Sequence, residues 1–464
     1  MLRKIAGALA ALSLLMPASG GAVDVPAGPS SDNVRHIRNI PAGTGVGGVF
    51  AGTHYYLSAA RSGSFLPGGA GTGGILAFDA TNARNPVLVG KLPLPHSQNE
   101  DLEVSEKRNL LLVVQDRRKS VSAVATSPII GGILFVIDIS NRNQPVLRST
   151  LQLPAQVATR DDGAPLGGPG HTASCIQDCN YAWISGSRDH GVHVVDLRDP
   201  SSPAWMGVIK GPAGGNNAIY DPGTVHDVHV DRFGEVWIAG SGGTALYRMT
   251  KNPLKPQFIA AVNKRDNERF NGLIHHGALR YTKDLVLVGE EDYENTCGSA
   301  DGKRQDGSLQ VWRIDRKAKR LVPVSSWDVT ITDATMRMLA EEVGITCSSH
   351  WFDVNKYSIV ADGWYEMGVQ FIDISKPAKP RHVGWFIGTN SAASQARFHP
   401  SDSGVVYVAD YNRGLDVIEI DNSGRKAKSV SMSAGAVRAA HAGVRFPLEP
   451  DPEFGFACLR RAGV

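Results

Sequence analysis

A chain of 464 residues with 42% hydrophobic side chains can bury a large core, and a net charge of only +3 leaves no concentrated basic face for nucleic acid. Its 51 glycines and 26 prolines favour many short elements joined by turns over a few long helices.

In chain order, the first segment reads "MLRKIAGALAALSLLMPASGGAVDV". Arg3 and Lys4 precede an apolar run from Ile5 to Met16, followed by small residues up to Ala22. This predicts a secretory signal peptide over residues 1–22 and an exported, periplasmic or secreted mature protein. The run is too short to span a bilayer, and no later segment reaches about 18 apolar residues, so no transmembrane segment is expected. Next comes a lone strand-like stretch, "NVRHIRNI", at 33–40.

From about residue 45 to 422 the chain repeats itself. A small residue, an apolar strand and usually Asp recur in "GGILAFDAT", "GGILFVIDIS", "HGVHVVDLR" and "MGVQFIDIS", with weaker copies in "GGTALYRMT", "GSLQVWRID" and "RGLDVIEID". The equivalent positions Asp79, Asp138, Asp196, Arg248, Arg313, Asp373 and Glu419 lie 46 to 65 residues apart. A strand pair precedes each copy, and a proline-containing turn with another strand follows most of them. Four strands per unit and seven units predict an all-β fold, a seven-bladed β-propeller of four-stranded blades. The last unit stops after three strands, so the strand at 33–40 is expected to complete it and close the ring over a domain spanning 33–422. The tail, 423–464, is basic and rich in small residues, and is expected to lie outside the ring, partly disordered. The repeat-closing aspartates are expected to make turns with backbone N–H groups. Trp183, Trp237 and Trp364 fall in second strands and read as core.

The strands "LFVIDIS" and "VHVVDLR" resemble the LVIVD-repeat family of bacterial secreted β-propeller proteins. The resemblance extends over nearly the whole mature chain. It implies a propeller and little about activity, because propellers host enzymes, binders and scaffolds alike.

Aligning the innermost strands puts a candidate ligand at one position of five consecutive units. Glu100 opens "EDLEVS", His171 "HTASCI", His226 "HDVHVD", His276 "HGALRY" and His350 "HWFDVN"; Ser394 holds the place in the last unit. Innermost strands line the axis of a propeller, so these side chains converge at one mouth of its tunnel. Imidazoles gathered there suit copper, iron or zinc, with Glu100 as a fifth ligand or as a partner to one. Metal-bound imidazoles need acceptors to fix their tautomers. The ends of the second strands offer Asp189, Glu291 and Asp362, and His275, His190 and Tyr365 stand near in sequence. Spacing leaves His275 and His276 as alternatives, because a one-residue slip reverses which of them faces the tunnel. The bland reading is that each histidine only bonds within its own blade. His193 and His229 read as ordinary strand side chains.

Export makes disulfides plausible. Cys175 and Cys179 are close enough to bridge a turn, Cys297 and Cys347 would tie down the same mouth, and Cys458 is left over. Two function classes follow. One is a metal-dependent oxidoreductase acting on an unknown small-molecule substrate, similar in ligand placement alone to carotenoid oxygenases and selenium-binding, methanethiol-oxidase-like propellers. The other is a non-catalytic module that binds a surface protein or glycan. Zinc-activated hydrolysis is a weaker third. No GxSxG, phosphate-binding loop or CxxC motif is present, which leaves nucleophilic and nucleotide chemistry unsupported.

Overall fold

The computed structural model describes residues 27–60, 73–94, 102–115, 132–154, 170–185, 191–210, 225–240, 242–262, 274–291, 307–329, 345–421 and 429–442. The signal-peptide segment, Glu100, Asp189, His190, Cys297 and Cys458 lie outside the described residues.

The described chain is built of up-and-down strands. The first blade holds β2 (Thr44–Ala51), β3 (His54–Ala60), β4 (Gly73–Asp79) and β5 (Val87–Leu94). The second holds β6 (Leu102–Ser105), β7 (Leu110–Gln115), β8 (Ile133–Asp138) and β9 (Val146–Gln152). The third holds β10 (Ala173–Ile176), β11 (Tyr181–Ile184), β12 (Gly191–Asp196) and β13 (Ala204–Lys210). The fourth holds β14 (Val225–Val230), β15 (Glu235–Gly240), β16 (Gly243–Arg248) and β17 (Gln257–Val262). The fifth holds β18 (Ile274–Arg280), β19 (Leu285–Glu291), β20 (Leu309–Asp315) and β21 (Arg320–Trp327). The sixth holds β22 (Phe352–Val354), β23 (Ile359–Gly363), β24 (Val369–Asp373) and β25 (Arg381–Phe386). The seventh group is β26 (Ala393–His399), β27 (Asp402–Asp410) and β28 (Gly414–Ile420), completed by β1 (Val34–Ile40).

Each group is a four-stranded antiparallel meander, and β17 and β21 touch in parallel at Ala261–Arg320 and Val262–Leu321. As the unassigned N-terminal stretch suggested, β1 pairs antiparallel with β28, so the two ends of the domain share one sheet.

The repeat motif supplies the third strand of each meander. Its apolar residues pack between neighbouring sheets. One cluster joins Leu110, Leu112 and Val114 to Ala173, Ala182 and Ile184, and another joins Tyr55, Leu57 and Phe78 to Tyr407, Leu415 and Val417. The second of these binds the first meander to the last, which closes the ring. The aspartates make the expected turns. Asp79, Asp138, Asp196 and Asp373 each accept from the backbone N–H two residues on, at 2.8–3.0 Å. Trp183, Trp237 and Trp364 are fully buried, as their strand positions predicted.

Part of the tail packs against the ring. Residues Ala434–Ala440 form a helix, α1, capped by Ser433, whose side chain accepts from Ala436 N–H. Val437 and Ala440 enter the core shared by Trp364, Met367 and Trp385. Val430 N–H donates to the His382 carbonyl, and His441 Nε2 lies 2.6 Å from the Glu366 carbonyl. The small-residue composition that suggested disorder is what lets this helix sit close on the sixth blade.

Candidate metal centre

Four innermost strands share a device at their entrances that spacing could not reveal. The register slips between Gly45 and Gly47 in β2, Val225 and Asp227 in β14, His275 and Gly277 in β18, and Ala393 and Gln395 in β26. The unpaired residues are Val46, His226, His276 and Ser394. A bulge breaks the two-residue alternation and re-aims the extra side chain, here toward the axis. This decides between His275 and His276. His276 joins the axial group, whereas His275 faces away, with Nδ1 2.8 Å from Thr244 Oγ1 and its ring 6.1 Å from Trp312. His171 and His350 sit just ahead of β10 and β22, held by backbone bonds to Ser185 and Gly363.

The four axial imidazoles form a chain of contacts, all 1% exposed or less. Ring centroids are 4.3 Å apart for His171–His226, 4.6 Å for His226–His276 and 4.1 Å for His276–His350. His171 Nε2 and His226 Nε2 lie 3.0 Å apart. Trp351 lies against His276 at 4.2 Å, and a Cβ on Gly277 would come within 2.8 Å of that indole, so only glycine fits after His276.

Tautomers are set from the next blade. His226 Nδ1 is 3.1 Å from the carbonyl oxygen of His276, and His350 Nδ1 is 2.5 Å from that of Ser394. Ser394 Oγ continues the pattern by donating to the Val46 carbonyl at 2.5 Å. A carbonyl only accepts, so each Nδ1 carries the proton and each Nε2 presents a lone pair to the axis. That is the form in which imidazole binds a metal.

Glu291, at the end of β19, supplies an oxygen donor. Sequence placed it as an acceptor behind the histidines; the structure places it among them. Its Oε2 is 3.4 Å from His226 Nε2 and its Oε1 is 3.8 Å from His350 Nε2. The phenol of Tyr365 donates to Glu291, and its ring lies 4.7 Å from that of His350. Tyr365 adopts φ +47°, and backbone bonds in both directions to Ala393 hold it there. Tyr411, which sequence reading missed, packs 6.4 Å from His350 and 6.3 Å from Tyr365. It follows Asp410 at the end of a second strand, the same position class as the rim carboxylates.

Asp362 does not meet an imidazole as expected. Its Oδ2 accepts from Ser349 Oγ at 2.9 Å, holding the residue before His350, and burial raises its pKa well above the ordinary carboxylate range. Cys175–Cys179 is a disulfide with Cα atoms 4.3 Å apart. Cys347 is also disulfide-bonded, while Cys297, its suggested partner, is outside the described residues.

The donor set fits a transition metal. One ligand atom each from His226, His276 and Glu291 all lie within 4.8 Å of one another. Two donors on one tetrahedral ion with bonds of about 2.0–2.1 Å sit roughly 3.3–3.4 Å apart, close to the His226–Glu291 separation. A buried carboxylate among imidazoles is costly without compensating positive charge, which a cation at this point would supply.

Comparison with known proteins agrees with the repeat reading. The LVIVD repeat matches at residues 130–152, 170–210 and 404–433. No curated protein sequence matches the chain. A Lactobacillus plantarum protein superposes with TM-score 0.52 and 8% identity, covering 82% of this chain and 95% of that one. The β-propeller domain of Myceliophthora thermophila Cps50 (Swd1) gives TM-score 0.52 and 12% identity over 83% and 99%. A periplasmic gluconolactonase of Pseudomonas aeruginosa gives TM-score 0.51 and 13% identity over 82% and 95%. Identities this low show the fold alone. Among the described residues no helix is long and apolar enough to cross a membrane.

Proposed function

We propose that this LVIVD-repeat β-propeller is an exported metalloprotein of seven blades, with copper, iron or zinc held on its axis by His171, His226, His276, His350 and Glu291, and that it is an oxidoreductase for a small molecule. The observation that carries this reading is the pair of Nε2 lone pairs of His226 and His350, fixed by Nδ1 donation to the next blade and lying beside the buried Glu291 carboxylate, with His276 within reach of the same point. Imidazole-rich sets suit all three metals, so the donors do not select one. When bound, the metal would supply Lewis-acid or redox chemistry to a small ligand at an open position. The chain's own contribution is to orient the imidazoles, exclude bulk water, and keep a proton on the Tyr365 phenol against Glu291. The predicted signal peptide supports export, as do the cysteine bridges.

A second reading has its own support. The axial histidines are almost completely enclosed, which suits a metal that only staples the blades of a binding module. Glu100, outside the described residues, is proposed as a further ligand on its repeat position alone.

The test is metal analysis of untagged protein from the periplasm beside a His226→Ala/His350→Ala variant. Near-stoichiometric copper, iron or zinc that is lost in a folded variant is the expected outcome. Folded wild-type protein that neither carries nor takes up these metals refutes the reading. Azide titration of the loaded protein, with cobalt(II) substituted where the metal is zinc, then separates the roles, since a spectral shift requires an open coordination position and a staple has none.

A further inference from the structure

Three residues on from Val46, His226, His276, His350 and Ser394 stand Val49, His229, Leu279, Asp353 and Arg397, each only partly buried. Three residues of strand correspond to roughly 10 Å along the axis. His229 lies on β14, and burial and the Arg397 charge lower its pKa to about 4. Arg397 stands on β26, three blades away.

Arg397 and Asp353 also line a cavity of about 410 Å³ at the opposite mouth, together with Val49, Phe50, Phe398 and Lys356. The volume is within the range of about 300–1,000 Å³ usual for small-molecule sites. Asp353 is tied down: its Oδ1 accepts from Val354 N–H at 2.7 Å and its Oδ2 from Phe398 N–H at 3.0 Å. Of the other lining groups, His399 has Nε2 2.9 Å from the Ala80 carbonyl and is held neutral by burial, which lowers its pKa. Arg397 and Lys356 thus bring positive charge to a lining that also carries the apolar side chains of Val49, Phe50 and Phe398.

We propose that this cavity is a second ligand site, distinct from the histidine cluster, for a small organic monocarboxylate. Arg397 anchors the carboxylate, because a guanidinium matches its two oxygens in a planar fork. Val49, Phe50 and Phe398 cover the apolar body, and Lys356 adds attraction at the rim.

The probes are acetate, butyrate and benzoate, titrated calorimetrically at low salt, with benzamide as the uncharged counterpart of benzoate. One carboxylate per chain is expected to bind saturably, with benzamide at least 10-fold weaker than benzoate. Arg397→Met is expected to lose at least 10-fold in affinity, and Lys356→Gln, at an exposed residue that leaves folding intact, about 3-fold. His226→Ala/His350→Ala is expected to bind the carboxylate unchanged. The proposal is overturned if none of the three carboxylates binds saturably, if benzamide equals benzoate, or if Lys356→Gln and a folded Arg397→Met bind as wild type. Loss of binding in the histidine variant overturns it too, because the anion then sits at the metal cluster.

Discussion

His382 on β25 lies with its ring 5.0 Å from Trp327, and burial lowers its pKa from 6.5 to about 4. In the folded protein it stays neutral at mild acidity, while in the unfolded chain it takes up a proton near its ordinary value. Between pH 6.5 and 4 the unfolded state thus binds more protons, and stability falls as pH is lowered through that window. The contribution lost by pH 5 is about 2 kcal/mol. His229, lowered to about 4, acts with the same sign. Urea midpoints measured between pH 7 and 5 should drop in wild type, and His382→Phe should remove roughly half of that slope. A variant with an unchanged slope would assign the pH dependence to other groups. At this scale the candidate site was partly legible. His171, His226, His276 and His350 could be aligned because they occupy one repeat position. Glu291's place among them depends on where a second strand ends relative to the neighbouring blades, and no local pattern carries that.

Closure of the ring rests on β1, and one carboxylate organises that junction. Asp416 is 1% exposed and accepts from Arg413 Nε at 2.7 Å, from Arg413 Nη2 at 3.0 Å and from Asn39 Nδ2 at 3.0 Å, with His36 Nε2 2.8 Å away. His36 also stacks on Phe386, ring centroids 5.2 Å apart. Asp416→Ala leaves the buried Arg413 guanidinium without its closest counter-charge. Breaking such a pair costs about 3–5 kcal/mol, so the variant should unfold at markedly lower urea and expose β1 to limited proteolysis. Wild-type stability in Asp416→Ala would show that the β1–β28 pairing and the apolar contacts of Val34, Ile37 and Ile40 hold the closure without it. The role of β1 was readable because the last repeat lacked a strand and an unassigned strand preceded the first. The docking of α1 was not, since a seven-residue helix with only Val437 and Ala440 buried carries too weak a periodicity.

For the whole molecule, the axial site links distant parts of the chain, and a ligand that binds only the folded state stabilises all of it. Metal at a thousand times its dissociation constant adds about 4 kcal/mol. Chelation should therefore lower the thermal midpoint of wild type by several degrees, readdition should restore it, and His226→Ala/His350→Ala should respond to neither. Equal midpoints with and without metal in wild type would mean that the metal binds folded and unfolded chains alike, as scattered surface histidines do.

The sequence by itself determined the repeat, its strand content, the closing strand and the aspartate turns, because each depends on residues close together or on a period that survives divergence. It also placed four histidines at one mouth. Only the tertiary structure decided which of His275 and His276 faces the axis, and that Glu291 rather than Asp362 meets the imidazoles. For Glu291 the physical reason is where its strand ends against the neighbouring blades, and for His276 it is the bulge. One extra residue at the entrance of a strand re-aims a side chain, and its effect appears only when that strand is seen against its neighbours in the ring.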